Sequence, residues 1–144
     1  MKRKLLAVLA LSLLGAAGAF AGKGGPIIDG FWEGSGQAIY MDGTVAEIVV
    51  DFVSITQEGN FVYGNSRLFV TVGDGEQQEL PGQLSGYIHG NGLKGTFGFC
   101  ITVAPDCVGA AIFEGKISGN TVSGTVIDLS DGSTGVVTLH RMAD

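Results

Sequence analysis

Basic residues, histidine and cysteine are all scarce in this chain of 144 residues: Lys and Arg together number 8, His 2 and Cys 2. Three of the cations, Lys2, Arg3 and Lys4, stand together at the start. They precede an uncharged, Leu/Ala-rich run from Leu5 to Phe20 and the small-x-small step Ala19-Phe20-Ala21. That order of charged, apolar and small segments reads as a cleaved signal peptide over residues 1–21, cut after Ala21. A membrane anchor is the competing reading, but the run is shorter than the roughly 20 apolar residues a span needs and ends in small residues rather than charges. No cysteine follows the cut, so nothing suggests a lipoprotein.

Cleavage leaves 123 residues (144 less 21), enough for one domain with a single core. It also leaves 5 basic residues against 14 acidic ones, a net charge of −9. Such a surface repels phosphate backbones and anionic lipid, so nucleic acid and membrane surfaces are not expected partners; solubility accounts for the acidity. Export places Cys100 and Cys107 in an oxidising compartment, the periplasm or the medium, where they are expected to pair. Closing that eight-residue loop, which contains Pro105 and Asp106, would stabilise the fold by about 2.5 kcal/mol. The spacing matches neither a C-x-x-C redox pair nor a zinc knuckle.

Catalytic signals are missing as well. His89 and His140 fall on outward faces by alternation, and there is no G-x-S-x-G. A Ser-His-Asp arrangement is spatial, and nothing in the sequence points to one. Glu33, Glu47, Asp51 and Glu114 fall outward or at strand ends, which offers no carboxylate pair for glycoside chemistry. Gly73-Asp74-Gly75-Glu76 lacks the alternating oxygen ligands of a calcium loop and reads as a turn. No catalytic residue, metal site or cofactor is therefore expected.

What the chain has is glycine, 25 residues of it, and alternation of period two without a helical period. Gly22 to Asp29 forms a lead, and residues 30–144 form the domain. Strands are expected at about 31–40, 45–57, 60–72, 82–89, 93–103, 110–118, 121–129 and 135–142, with a short ninth at 76–80 left open. Ala46, Ile48, Val50 and Phe52 share one face of the second strand, with Val49 and Val53 opposite. Turn signals such as Asp42-Gly43, Asp74-Gly75 and Asp131-Gly132 join the strands as hairpins. The pattern G-N-x-apolar-x-G occurs at 59–64, 90–95 and 119–124. Its trailing glycine falls inward, where it lets a strand coil sharply. A chain of such hairpins predicts an all-β, eight-stranded antiparallel up-and-down barrel, in which closure removes exposed edges.

Gly30-Phe31-Trp32, opening the first strand of such a meander, resembles the G-x-W signature of the lipocalin or calycin group. The resemblance covers that motif, Arg141 and the strand count; the longer loops typical of true lipocalins are not evident. It implies that Trp32 closes one end of the barrel beneath Arg141, on the last strand. Arginine over tryptophan gains cation–π attraction while the ring stays dry.

An eight-stranded barrel is either filled by side chains or holds one small ligand. The inward set, with Trp32, Phe52, Leu68, Phe97, Phe99, Phe113 and Asp128 as candidate lining, suits an apolar or amphipathic molecule. Asp128 follows Val122, Gly124 and Val126 on that face, lining a mouth or standing in water beyond the core. The expectation is an exported binding protein without catalysis. The alternatives are an envelope interaction or inhibitor module, using an outward patch of Val49, Val53, Phe61, Tyr63, Phe69 and Tyr87, an outer-membrane barrel and a small-barrel enzyme. The polar outward residues and the terminal His140-Arg141-Met142-Ala143-Asp144 speak against the membrane barrel.

Overall fold

A computed structural model of the chain describes residues 25–99 and 109–144. The expected signal peptide and the Cys100–Cys107 pairing lie outside the described residues. Eight strands follow one another in chain order: β1 (Gly30–Ile39), β2 (Val45–Glu58), β3 (Phe61–Val72), β4 (Gln77–His89), β5 (Gly92–Phe99), β6 (Gly109–Ser118), β7 (Thr121–Asp128) and β8 (Thr134–Arg141). Each pairs antiparallel with the next, and β1 pairs with β8 from Trp32↔Arg141 to Ile39↔Thr134. The sheet is therefore a closed up-and-down barrel, as alternation and tight turns predict. No helix long and apolar enough to cross a membrane occurs among the described residues.

The Gly-Asn repeat organises one end of the cylinder. Gly59-Asn60, Gly90-Asn91 and Gly119-Asn120 are two-residue turns closing the pairs Glu58↔Phe61, His89↔Gly92 and Ser118↔Thr121. The glycine carries the positive φ in each, 63°, 59° and 57°, and the asparagine does not. That is the pattern of a type II′ turn, which matches the right-handed twist of the flanking strands. Each asparagine carbonyl then accepts from the backbone of the following hairpin: Asn60 from Ile88 N, Asn91 from Ile117 N and Asn120 from Arg141 N. The repeat thus makes the turns and also couples each hairpin to the next.

Its trailing glycines sit inside, where strands come too close for a side chain. Gly86 faces Gly95 and Gly115 faces Gly124 across strand pairs. A Cβ on Gly86 would lie 2.4 Å from the Lys94 carbonyl oxygen, and one on Gly124 would lie 2.6 Å from Gly115 Cα.

Two expectations are corrected. β2 does not alternate uninterrupted. Val50 pairs with Leu68, but Phe52 pairs with Arg67, and on the other side Trp32↔Val53 is followed by Gly34↔Val50. The extra residue is a β-bulge at Asp51-Phe52, and it reverses the phase of the strand. Val53 and Ile55 turn into the core, at 6% and 5% exposure. Phe52 turns outward, 5.4 Å from the Arg67 guanidinium carbon, which also lies 5.9 Å from the Phe69 ring. Asp51 forms a salt bridge with Arg67, whose Nε donates to Oδ2 at 2.7 Å. Phe52 is therefore an outer-face residue and not lining, and Val53 belongs to no outer patch.

The second correction concerns β4, which runs unbroken through Pro81, so the short ninth segment is its first part. On the β3 side Pro81 pairs with Arg67, and on the β5 side the pairing among the described residues runs to Gly82↔Phe99.

Candidate functional site

The barrel has two unlike ends with an apolar interior between them. At the end of the Gly-Asn turns, residues 25–29 cross beneath the strands as a plug. Ile28 and Trp32 are both 0% exposed. The plug is held by polar groups as much as by packing. Gln57, at the end of β2, accepts from Ile28 N at 2.7 Å and donates its Nε2 to the Pro26 carbonyl at 3.2 Å. Trp32 Nε1 donates to the Ile28 carbonyl at 2.8 Å, so the indole is buried with its one donor satisfied.

Arg141 completes this floor. Its guanidinium carbon lies 4.6 Å from the centre of the Trp32 ring. Nη1 donates to the Asp29 carbonyl and Nη2 to the Ile27 carbonyl, both at 2.5 Å, and Nε donates to Asn120 Oδ1 at 3.2 Å. The planar fork stacks on the indole with one face while its edges tie three backbone and turn groups together, a task a lysine ammonium cannot perform.

Above the floor lies a cavity of about 130 Å³. Its walls come from β2, β3, β4, β5, β6, β7 and β8 and include Ile48, Val50, Leu68, Leu84, Phe97, Phe113, Val126 and Leu139. The volume is close to the roughly 150 Å³ of an engineered apolar cavity that takes up benzene. One polar side chain from a buried position shares the lining. Ser66 is 4% exposed, and its Oγ has no hydrogen-bond partner among the described residues.

Of the sequence-derived lining candidates, Leu68, Phe97 and Phe113 face this cavity. Trp32 lies in the floor, and Phe99 stacks on Phe97 with ring centres 6.0 Å apart, toward the opposite end. Asp128 is held at the rim: its Oδ1 accepts from Ser130 N at 2.8 Å and Ser130 Oγ at 2.5 Å, so its carboxylate shapes the last turn and does not line the cavity. Ser66 was missed because an isolated serine on an inward register carries no motif. Alternation places it between Val62 and Leu68, which is the signal that finds it.

The rim opposite the floor is acidic. Asp42, Asp74, Glu76, Asp128 and Asp131 stand on or beside its turns, and no Lys or Arg joins them among the described residues. Much of this is turn chemistry. Asp42 accepts from Thr44 N and Asp131 from Ser133 N, at 2.9 and 2.8 Å, the Asx-turn bond that makes aspartate a turn former. The bond from Thr44 holds the Asp42 carboxyl below its ordinary pKa. Beside them, burial raises the Tyr40 phenol above its ordinary value, and the charges of Asp131 and Asp128 add to the shift.

Both histidines are exposed on the outer face, His140 Nδ1 lying 3.4 Å from Thr121 Oγ1. No group of three or more metal-ligating side chains occurs among the described residues.

No protein-family model and no curated protein sequence matches the chain. Among solved structures the fold is similar to a redesigned beta barrel, mFAP1, bound to DFHBI, at a TM-score of 0.56 and 14% identity over 79% of this chain and 94% of that one. At that identity the likeness shows the fold, a small eight-stranded antiparallel barrel.

Proposed function

We propose that this chain is an exported, lipocalin-like binding protein that holds one small apolar or amphipathic molecule inside its barrel and performs no chemistry on it. The observation that carries the reading is the cavity of about 130 Å³ lined mainly by aliphatic and aromatic side chains above the Trp32 floor. Well-packed cores have few voids larger than a water molecule, and leaving such a volume unfilled sacrifices contacts that larger side chains would supply. A ligand that enters recovers them. The similar barrel, itself bound to the small molecule DFHBI, supports the reading.

The test is thermal unfolding of the processed protein in the presence of small neutral ring compounds, benzene first. Binding to the folded state alone raises the midpoint as concentration exceeds Kd. An unchanged midpoint with every compound at its solubility limit overturns the reading. Native mass spectrometry of protein taken from its own host identifies the resident molecule. Export is tested separately: the N-terminus of the envelope or secreted form should begin at Gly22.

A second reading, an envelope interaction module, draws on the outer face. Phe61 is 69% exposed and pairs with Tyr87, 48% exposed, with Tyr63 nearby on β3. Such a cluster of exposed aromatics suits a protein contact. Capture of a partner that is lost on Phe61→Ser would favour it.

A further inference from the structure

Three residues around the cavity carry hydroxyls, Ser66, Ser85 and Thr96; Ser85 and Thr96 are exposed, with their hydroxyls 3.4 Å apart, and Ser66 alone of the three is buried. Ser66 stands on β3 with its hydroxyl buried, facing the lined space, and without a hydrogen-bond partner among the described residues. A buried hydroxyl left unpaired destabilises a fold, and an alanine in its place would avoid that. The neighbours across the sheet, Val53 and Gly82, offer no side-chain acceptor or donor. Among the described residues no charged side chain lines the cavity to match an ion either. Arg67 points outward into its bond with Asp51, Arg141 is engaged below the floor, and the opposite rim is acidic. A carboxylate or phosphate brought to Ser66 would be desolvated without compensation and repelled on the way in.

We propose that the ligand is a neutral molecule of about one ring that carries a single hydrogen-bonding group, and that this group docks on Ser66 Oγ while the rest packs against Leu68, Leu84, Phe97 and Phe113. This deepens the ligand-binding reading and rests on it.

The test pairs two ligands with two proteins. Toluene and phenol have the same shape and differ in a methyl against a hydroxyl. Each is titrated calorimetrically against the full processed chain and its Ser66→Ala variant, with circular dichroism to check the fold. The phenol-to-toluene affinity ratio should fall about 3- to 10-fold in Ser66→Ala, as expected for one hydrogen bond. An unchanged ratio, with both compounds bound, overturns the role of Ser66 and leaves the ligand-binding reading standing. Binding of neither compound to either protein overturns that reading and this inference together. Benzoate bound as tightly as phenol overturns the requirement for neutrality. The ligand-free midpoint of Ser66→Ala should equal or exceed that of the parent; a clear drop would show that the hydroxyl serves the fold instead.

Discussion

Arg141 ties the last strand to the N-terminal plug and to a turn. It stacks on Trp32, reaches two carbonyls of the N-terminal plug and meets Asn120 in the last Gly-Asn turn. Truncation to alanine removes a cation–π contact and three charge-assisted hydrogen bonds, and leaves the carbonyls of Ile27 and Asp29 to water. Arg141→Ala should lower stability by about 2–3 kcal/mol, read as a shift in the urea midpoint. It should also expose the segment around Pro26–Asp29 to proteolysis at protease levels that leave the parent intact. Arg141→Lys should recover less than half of the loss, because a point charge cannot span those partners. An unchanged midpoint in the alanine variant would show that the contacts of Ile28, Gln57 and Trp32 hold the plug without Arg141.

Tyr40 carries a pH prediction of the same local kind. Its phenol is raised above the ordinary value of 10.0 by burial first and by Asp131 and Asp128 next. The folded state therefore holds this proton more tightly than the unfolded chain does. The sign follows from linkage: the contribution is fully present below the unfolded pKa, and it is lost as pH rises through the raised folded value. Alkaline unfolding should be shallower in Tyr40→Phe, and the tyrosinate absorbance difference between the two proteins should place Tyr40 above 10.0.

Side-chain direction at this scale was legible wherever alternation ran undisturbed, as at Leu68, Phe97 and Phe113. It failed at Phe52, because one inserted residue reverses a period-two pattern and Asp51 bears no mark distinguishing a bulge from a surface position. The Arg67–Asp51 bond that secures the bulge spans 16 residues of sequence and becomes visible only once β2 and β3 are paired.

At the scale of elements, the glycines divide into two physical classes, in turns and on inward strand faces, for different reasons. The turn glycines 59, 90 and 119 have positive φ and open space around them. The strand glycines 64, 86, 95 and 124 lack space: a Cβ on Gly64 would fall 1.6 Å from the Ser54 carbonyl oxygen. Substituting alanine therefore separates the classes. Gly119→Ala imposes a left-handed conformation on an L-residue, a cost of about 1–2 kcal/mol. Gly86→Ala forces two backbones apart, its Cβ falling 2.4 Å from the Lys94 carbonyl oxygen, and should cost about 3 kcal/mol or more, an overpacking effect at the upper end of its usual range. Thermal denaturation of the two variants measures the difference; equal losses would mean that the sheet relaxes freely at the Gly86–Gly95 pair.

Hairpins, turns and the repeat could be read from the chain because they are local. Two features of the elements could not. The run of β4 through Pro81 depends on its pairing with β3, where Pro81 lies opposite Arg67, a property of its neighbour. The carbonyl of each asparagine bonding to the following hairpin is a tertiary contact that no composition reports.

For the molecule as a whole, closure creates the interior, and the residues that fill it decide whether a cavity remains. Eight strands give a lumen that large side chains can fill completely. Here Gly86 and Gly95, which carry no side chain, are part of the cavity wall, and Ile48, Leu68, Phe97, Phe113 and Val126 do not fill the volume between them. Filling the lumen tests the binding reading directly. Val126 lies on β7 in the cavity wall, and Val126→Phe would place a ring in the open volume. Its stability should change by no more than about 1–2 kcal/mol, since the added area gains contacts and the fit is imperfect. Its affinity for benzene should fall at least about 10-fold, equivalent to about 1.4 kcal/mol, and the ligand-induced rise in the unfolding midpoint should vanish with it. A variant that remains folded and still binds benzene with the parent's affinity would place the binding site outside the barrel.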